Sequence, residues 1–389
     1  MQPTSRIYIA GHRGLAGSAL TRRLRAEGFS DLITRTHAEL DLERPQEVQA
    51  FFAHECPEFV ILAAAKVGGI HANSTYPVDF LLSNLKIQNN VIEASWRHGV
   101  KGLLFLGSSC IYPRLAPQPL KEEYLLTGPL EPTNEPYAIA KIAGIELCQA
   151  FNRQYGTRFL SVMPTNLYGP NDNYDLQNSH VLPAFIRKFH LAKLASRGDW
   201  QAIEKDERVY GPIPADFIMN LKAISKAANR PVPSSYDQRA APGSHPVSGG
   251  VPSGSGSVST APPSQPAALT LWGTGSPLRE FLYSDDLADA CLFLMQRFES
   301  IFSGEKTFPG PNHLFNIGCG EDLPIRDLAH MAKQIVAFDG PIQWDSTKPD
   351  GTPKKLLDVT WLKSMGWRPK TPLETGIRSA YQDYLGKCE

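Results

Sequence analysis

The stretch Ile7-Tyr8-Ile9-Ala10-Gly11-His12-Arg13-Gly14-Leu15-Ala16-Gly17 decides the fold of this chain. Its first four residues predict a short buried strand, and glycines stand at positions one, four and seven of the loop that follows. This spacing permits a tight turn, close approach of the backbone to a pyrophosphate and close packing of a helix on a strand. A helix that begins there would face the anion with its N-terminus. The stretch predicts the first βα unit of a dinucleotide-binding domain, although an ordinary βα turn can also carry such glycines.

Further apolar runs alternate with helix-like stretches as far as about residue 165, and this alternation predicts βαβ units and a parallel sheet. The clearest runs lie at 59–63, 103–106 and 159–163. A helix-like stretch at 138–155 is followed by Gly156, a residue suited to the left-handed cap of a helix. The predicted fold is α/β, a Rossmann-type doubly wound parallel sheet with a smaller C-terminal α/β domain.

Composition excludes several classes of protein. Lys and Arg total 39, and Asp and Glu also total 39, so the net charge is zero and no nucleic-acid or anionic membrane partner is expected. No apolar stretch reaches the roughly 18 residues needed to span a bilayer. The six cysteines are scattered without a CxxC pair or disulfide-like spacing, a pattern typical of a reducing cytoplasm. We expect a cytoplasmic protein without a metal site.

The regular pattern breaks near residue 199. Residues 231–266 are mostly Pro, Gly or Ser, and such a stretch cannot bury enough apolar surface to offset its ordering entropy. We predict a largely disordered loop there, within an insertion at 199–268 that has one short helix near 217–228. The insertion either recruits a partner or is a tolerated surface insertion. The predicted domains are a cofactor domain at 1–180 with a return near 280–300, and a substrate-binding part at 181–198 and 269–389.

The residue after the second strand decides between NAD and NADP. An acid there binds the ribose 2′-hydroxyl, whereas a cation accepts a 2′-phosphate. The second strand is predicted at 32–34, and Arg35 stands where the acid would be, with Arg13 in the glycine loop. We expect NADP(H), with Asp41 and Leu42 near the adenine. The alternative is that Arg35 is only a solvated surface cation.

Ser108, Tyr137 and Lys141 have the order and spacing of a carbonyl reductase. Tyr137 and Lys141 are four apart on a predicted helix, so they share one face, and an ammonium near a phenol lowers the pKa of the phenol. The tyrosine can then give a proton to a carbonyl oxygen that receives hydride. Ser108 follows a predicted strand and would bind the same oxygen. Taken alone, the YxxxK spacing also fits a solvated tyrosine beside a helical lysine.

Cys110 has no use in hydride transfer and implies a second reaction. A ketone acidifies the neighbouring C–H bonds, because the resulting carbanion delocalises onto oxygen as an enolate, which the groups that polarise the ketone also stabilise. A thiol and an imidazole both exchange protons near neutral pH. Cys110 and His180 could therefore act as base and acid on opposite faces of such a carbon and invert it. A packed cysteine and a satisfied polar histidine are the plain alternatives.

Several longer runs are more specific than any single motif. They are Ala10-Gly11-His12-Arg13-Gly14, Ala63-Ala64-Ala65-Lys66-Val67-Gly68-Gly69-Ile70, Gly107-Ser108-Ser109-Cys110-Ile111-Tyr112-Pro113, Glu131-Pro132-Thr133-Asn134-Glu135-Pro136-Tyr137, Met163-Pro164-Thr165-Asn166-Leu167-Tyr168-Gly169-Pro170, Asn178-Ser179-His180-Val181, Arg279-Glu280-Phe281 and Lys348-Pro349-Asp350-Gly351-Thr352-Pro353. Through these runs the chain resembles the extended short-chain dehydrogenase/reductases and, within that superfamily, the GDP-L-fucose synthase family. The resemblance runs from the start of the chain to about residue 195 and again from about residue 269.

The resemblance implies conversion of GDP-4-keto-6-deoxy-D-mannose to GDP-L-fucose, by epimerisation at C3 and C5 and reduction by NADPH at C4. It implies that Cys110 is the epimerisation base and His180 the acid, while Tyr137 and Ser108 serve the C4 oxygen. The implied GDP-sugar contacts are Lys188, Trp272, Arg279, Asp350 and Lys355. The implied cofactor contacts beyond the glycine loop are Arg35, Asp41, Leu42, Ala63, Ala64, Leu106, Gly107, Ser109, Lys141, Pro164, Thr165, Asn166, Leu167 and His180. Members of the family are homodimers.

Two departures from the family stand out. His37 replaces a common basic residue, so the expectation of NADP depends more on Arg13 and Arg35. The insertion at 199–268 has no counterpart in compact members and could lie near the substrate entrance. Two other functions stay open: another nucleotide-sugar epimerase or dehydratase of the same superfamily, and a non-catalytic NADP-binding sensor.

Overall fold

A six-stranded parallel sheet lies at the centre of the protein, whose computed structural model describes residues 1–237, 267–303 and 313–388. The strands are β1 (Ile7–Ala10), β2 (Leu32–Ile33), β3 (Phe59–Leu62), β4 (Gly102–Leu106), β5 (Phe159–Pro164), β6 (Asn166–Tyr168), β7 (Leu269–Trp272), β8 (Leu278–Arg279), β9 (Phe281–Tyr283), β10 (Leu314–Ile317), β11 (Leu323–Pro324), β12 (Ile342–Asp345) and β13 (Lys354–Lys355).

The helices are α1 (Leu15–Ala26), α2 (Pro45–Glu55), α3 (Ile70–Thr75), α4 (Pro77–Arg97), α5 (Glu135–Tyr155), α6 (Val181–Arg197), α7 (Trp200–Tyr210), α8 (Ala215–Ala227), α9 (Ser234–Asp237), α10 (Ser284–Met295), α11 (Phe298–Phe302), α12 (Ile325–Val336), α13 (Thr360–Ser364) and α14 (Leu373–Cys388). Two short 3₁₀ turns, Ser109–Ile111 and Glu122–Tyr124, lie between β4 and α5. Within the described ranges, no helix combines the length and apolar character needed to cross a bilayer.

The order of the large sheet is β10-β5-β4-β3-β1-β2, and all its strands are parallel. One face packs on α1 and α10, and the other packs on α2, α4 and α5. The strand order reverses between β1 and β3, which is where open α/β sheets bind ligands beyond the carboxyl ends of their strands. The expected doubly wound α/β fold is confirmed. Its buried strands follow the apolar runs because both faces of the sheet are covered.

The second part of the chain builds three small sheets beside this one. β7 pairs with β12, β6 pairs with β9, and β8 lies between β11 and β13. A separate apolar core joins these strands to α6, α7, α8, α12 and α14. β10 pairs with β5 in the large sheet, so the return of the chain to the cofactor side continues beyond residue 300. The predicted domain limits stay a prediction.

The first part of the predicted insertion is helical and packs into that core. The helix expected near 217–228 is α8, which buries Phe217 and Leu221. α7 was not expected, and it buries Trp200 and Ile203. This part of the insertion is therefore not a surface addition. The predicted loop at 231–266 lies mostly outside the described residues.

A buried ion pair fixes α7 to α6. Arg187 Nε donates to Asp206 Oδ1 at 2.8 Å, and the two side chains are 0% and 1% exposed. The Arg187 guanidinium also donates to the carbonyl oxygens of Tyr174, Tyr210 and Gly211, so its donors are shared among acceptors from separate segments. The pair stabilises the position of the segment that carries α7, because each charge depends on the other for solvation.

Replacing Arg187 with methionine is expected to lower the free energy of unfolding by about 3–5 kcal/mol, because it leaves the Asp206 carboxylate buried without its partner. The midpoint of urea-induced unfolding measures the effect. Arg208→Met is the matched control, since Arg208 forms an exposed pair with Glu204 on α7 and such pairs contribute about 0.3–0.5 kcal/mol. Equal losses in the two variants would contradict a stabilising role for the buried pair.

Candidate active site

A cleft of about 1740 Å³ opens at the carboxyl ends of the sheet strands and extends between the two parts of the chain. Pockets for one small ligand usually enclose about 300–1,000 Å³, so this cleft has room for two ligands side by side. Residues after β1, β3, β4 and β5 line one end, and residues of α6, α8, β7 and β8 line the other. The site is therefore large enough for a dinucleotide and a second substrate.

The glycine loop has the close approaches that a dinucleotide requires. Gly11 has φ +85°, and a Cβ on it would lie 2.7 Å from the Ala64 nitrogen. A Cβ on Gly17 would lie 2.1 Å from the Gly11 oxygen, so α1 could not approach β1 with any other residue there. Gly14 caps α1 without a side chain, and this leaves the helix N-terminus open to the cleft. These residues fit a pyrophosphate at the start of α1.

Most other predicted cofactor contacts line the same end of the cleft. They are Leu15, Ala16, Arg35, Asp41, Leu42, Ala63, Ala64, Leu106, Gly107, Ser109, Lys141, Pro164, Thr165, Asn166, Leu167 and His180. His12 and Arg13 lie outside the lining, and Arg13 is exposed. The structure therefore brings Arg35 to the cleft and leaves Arg13 at its edge.

Three contacts within the protein fix the position of the Arg35 side chain. Its guanidinium donates to the Thr34 carbonyl oxygen at 2.9 Å, forms an ion pair with Glu55 and lies 5.6 Å from the centre of the Phe51 ring. Sequence reasoning missed Glu39, whose pKa is lowered by hydrogen bonds from Thr36 and further by the nearby cations Arg35 and Arg13. The two arginines therefore converge on one small region at the end of β2.

Ser108, Cys110, Tyr137 and Lys141 meet beyond β4. Ser108 caps the turn Ser109–Ile111, and its Oγ accepts from the Cys110 N–H at 3.4 Å and from the Cys110 thiol at 3.1 Å. Lys141, buried on α5, donates to the Leu106 carbonyl oxygen at 2.8 Å, and its Nζ lies 5.9 Å from the centre of the Tyr137 ring. The predicted triad and the extra thiol therefore share one site.

Burial is the largest cause of the pKa shifts of Tyr137 and Lys141. It raises the pKa of Tyr137, which a Cys110 charge would raise further and a hydrogen bond with Ser108 lowers. It also lowers the pKa of Lys141 to about 8. The expected lowering of the phenol pKa by the ammonium is absent, because Lys141 is hydrogen-bonded to the Leu106 carbonyl and desolvation is larger. Tyr137 is thus protonated, the form that can donate a proton.

Lys355 lies within electrostatic reach of both Cys110 and His180. Burial raises the pKa of the Cys110 thiol, and Lys355 and then Ser108 lower it. His180 caps α6 and is exposed to the cleft; the surrounding protein lowers the pKa of its imidazole, and Lys355 lowers it further. One cation therefore favours the thiolate of Cys110 and makes a protonated His180 a stronger acid.

Two cations and one half-buried acid form the centre of the substrate end. Lys355 on β13 is paired in register with Arg279 on β8. The negative charge of Glu131 acts to raise the pKa of both cations. Its carboxylate also forms an ion pair with Arg114 at 3.2 Å and accepts from the Thr352 hydroxyl at 3.3 Å. Sequence reasoning missed Glu131, although it begins one of the specific runs. A paired Lys and Arg suit an anionic ligand such as a diphosphate.

Trp272, Lys188 and Asp350 line the far wall of this end. The Trp272 ring is 49% exposed, and the ammonium groups of Lys188 and Lys348 lie 5.8 and 5.0 Å from its centre. The Asp350 carboxylate accepts from the Thr274 N–H and hydroxyl, each at 2.8 Å. All five predicted substrate contacts therefore line one end of the cleft.

Comparison with known proteins agrees with this geometry. The family described as NAD dependent epimerase/dehydratase matches residues 7–206 and 255–318. GDP-L-fucose synthase 1 of Arabidopsis thaliana is 47% identical over 382 residues, which cover 98% of this chain and 94% of the relative. The chain belongs to the GDP-L-fucose synthase family. The GDP-L-fucose synthase of Escherichia coli K12 is 43% identical over 380 residues, covering 98% of this chain and 96% of the relative.

Solved structures of other nucleotide-sugar enzymes are also similar to this chain. A GDP-6-OMe-4-keto-L-xylo-heptose reductase from C. jejuni has a TM-score of 0.81 and 38% identity, and the match covers 99% of each chain. A GDP-mannoheptose C4 reductase from Campylobacter jejuni, solved with NADP bound, has a TM-score of 0.76 and 37% identity over 99% of each chain. The shared fold extends over nearly the whole length of each protein.

Proposed function

We propose that this protein converts GDP-4-keto-6-deoxy-D-mannose to GDP-L-fucose, epimerising C3 and C5 and reducing C4 with NADPH. The observation that carries the proposal is the contact between Cys110 and Ser108, 3.1 Å from sulfur to oxygen, in the site that also holds Tyr137 and Lys141. A thiol in contact with the groups that polarise a ketone has the position that an epimerisation base needs. Relatives in the GDP-L-fucose synthase family at 43–47% identity support the same conclusion.

Reduction at C4 needs one hydride and one proton. Bound NADPH supplies the hydride. Tyr137 supplies the proton to the C4 oxygen, and the Ser108 hydroxyl donates a hydrogen bond to that oxygen as negative charge develops on it. The Lys141 ammonium donates to the Leu106 carbonyl and so holds α5, which carries Tyr137, against the end of β4.

Epimerisation uses the same polarised ketone. The Cys110 thiolate removes the proton from the carbon beside the carbonyl, and the electron pair moves into an enolate held by Ser108 and Tyr137. His180 then returns a proton on the opposite face, which inverts the carbon. Lys355 assists both partners, because its charge lowers the pKa of the thiol and of the imidazole.

The cleft residues support NADP(H) as the cofactor. The glycine loop fits the pyrophosphate, and Arg35 lines the cleft beside Phe51, where its cation supports binding of a 2′-phosphate. Arg13 lies near the edge of the same region, since its charge and that of Arg35 both lower the pKa of Glu39. The ion pair of Arg35 with Glu55 and its place on the cleft lining favour a cofactor contact over a solvated surface cation.

A reductase of GDP-heptoses is the second candidate, because two solved relatives with that activity match at 37–38% identity. The GDP-L-fucose synthases of plants and bacteria match at 43–47% identity, which favours the first candidate. The sensor alternative needs no intact triad, whereas Ser108, Tyr137 and Lys141 meet in the cleft.

The purified protein, given NADPH and GDP-4-keto-6-deoxy-D-mannose in heavy water, is expected to oxidise the cofactor and to place deuterium at C3 and C5. Enolate formation exposes both carbons to solvent protons, so each inversion leaves a label. Product NMR locates the deuterium, and absorbance at the nicotinamide band follows the reduction. Oxidation of NADPH without deuterium would exclude the double epimerisation and favour a simple C4 reductase.

The protein is further proposed to act as a homodimer in the cytoplasm. α4 and α5 pack against each other and leave Val78, Leu82, Ile139 and Tyr155 exposed. An exposed apolar surface spread over two packed helices suits a symmetric contact between two copies. All six cysteines are free thiols, as a reducing compartment would keep them.

A further inference from the structure

α8 forms a wall of the substrate end that none of the predicted contacts includes. Pro214, Asp216, Phe217 and Asn220 line the cleft. The helix lies in the break between residues 206 and 255 of the family match. This wall therefore belongs to a part of the chain that the family model leaves unassigned.

The wall is fixed to the strand that carries Trp272. The Asn220 amide donates to the Ala268 carbonyl oxygen at 2.8 Å and accepts from the Thr270 N–H at 3.1 Å. β7 continues from there to Trp272. Phe217 is 6% exposed and anchors the same turn of α8 in the core. Two hydrogen bonds therefore join α8 to the strand that ends in Trp272.

Lys188, Phe217 and Trp272 lie together at this wall of the cleft. The Lys188 ammonium lies 5.5 Å from the centre of the Phe217 ring and 5.8 Å from the centre of the Trp272 ring. Lys188 stands two helical turns after His180 on α6, about 12 Å along the axis at 1.5 Å per residue. A nucleoside diphosphate with its sugar at Cys110 and His180 spans a distance of that order. The exposed indole of Trp272 can then stack on the base.

Asp216 lines the same wall, and within the described part of the chain its carboxylate forms no hydrogen bond or ion pair. Asp345 and Asp350 also line the cleft, but Asp345 accepts from Thr347 and Asp350 accepts from Thr274. The Asp216 carboxylate is exposed and lies in the field of the Lys188 ammonium, whose pKa is lowered by burial and raised by Asp216. The Asp216 carboxylate therefore lies near a cation and is accessible to a ligand.

We propose that α8 forms the base subsite and that Asp216 selects guanine by accepting hydrogen bonds from its N1–H and 2-amino groups. Guanine presents these two donors side by side, whereas adenine places an acceptor beside its amino group and uracil offers a single N–H between two carbonyl oxygens. Only guanine satisfies both oxygens of a carboxylate. This inference rests on the proposed function, since it takes the ligand to be a GDP-sugar.

Binding of GDP and IDP to the full-length protein with NADP present tests the proposal, because IDP lacks the 2-amino group. Calorimetry on the wild-type protein is expected to give about 10-fold or tighter binding of GDP over IDP, as a hydrogen bond to a charged group contributes that much. Asp216→Asn should lose about 10- to 100-fold in GDP affinity and most of the preference over IDP. The affinity of each variant for NADP serves as the measure of folding, because Asp216 lies on the wall formed by α8, away from the glycine loop.

Asp327→Asn is the matched control. Asp327 stands in the first turn of α12, which like α8 begins after a proline, and it lies outside the cleft lining. Its substitution should leave both affinities unchanged. A GDP preference retained in Asp216→Asn would overturn the role of Asp216. A wild-type protein that binds neither GDP nor IDP would instead overturn the proposed function, so the two failures are distinguishable.

Discussion

Tyr137→Phe is expected to lower the rate of C4 reduction by about 10²- to 10⁴-fold, the usual contribution of a positioned general acid. The phenol is the proton donor of the site, because burial raises its pKa and keeps it protonated. The change removes one oxygen and leaves the ring against Phe80, whose centre lies 6.3 Å away in an edge-to-face contact. Packing and cofactor binding should therefore persist while the chemical step fails.

The measurement for Tyr137→Phe is single-turnover oxidation of NADPH, with cofactor affinity determined in parallel. Tyr112→Phe is the matched control, since it removes a buried phenol that donates to Asn316 and lies outside the main cleft. That control should lose some stability and retain the reaction rate. A Tyr137→Phe variant that keeps more than about a tenth of the rate would show that water or another group donates the proton.

Cys110→Ser is expected to lower deuterium incorporation at C3 and C5 by about 10²- to 10⁴-fold while NADPH still binds. A hydroxyl is a far weaker acid than a thiol, so serine supplies almost no base near neutral pH even beside Lys355. The polarising hydroxyl of Ser108 and the proton of Tyr137 remain in place. Reduction of the ketone that has not been epimerised should therefore continue.

Mass spectrometry of the recovered ketone after incubation in heavy water measures this exchange without reduction. Cys148→Ser is the matched control, because Cys148 is a fully buried thiol on α5 that does not line the cleft. It should leave the exchange rate unchanged. If Cys110→Ser lost exchange and cofactor binding together, the thiol would be structural and the proposed base would lie elsewhere.

The sequence predicted the parts of this molecule that local pattern determines. β1, β3, β4 and β5 coincide with uninterrupted apolar runs, because a sheet covered on both faces leaves no polar alternation. α7 was missed, since one of its buried positions is Asp206, whose charge reads as solvent-exposed until its partner Arg187 is seen. A buried ion pair cannot be recognised from either of its residues alone.

In the candidate site, too, some features follow from local sequence and others depend on the whole fold. Ser108, Cys110, Tyr137 and Lys141 come from two neighbouring segments, and their meeting follows from the sheet. The influence of Lys355 on both Cys110 and His180 depends on β13, near the other end of the chain, which no local spacing reveals. The predicted direction of the Tyr137 pKa shift differs from that in the structure, because burial, which raises this pKa, is a property of the whole fold.

Arg187 also limits how this chain can change over generations. Its guanidinium depends on Asp206 from α7 and on two carbonyl oxygens at the end of that helix. A variant that lacked α7 would keep the Arg187 cation buried without its carboxylate partner until a second substitution removed it. Loss of α7 is therefore expected to require a second change at Arg187 before the rest of the fold is stable again.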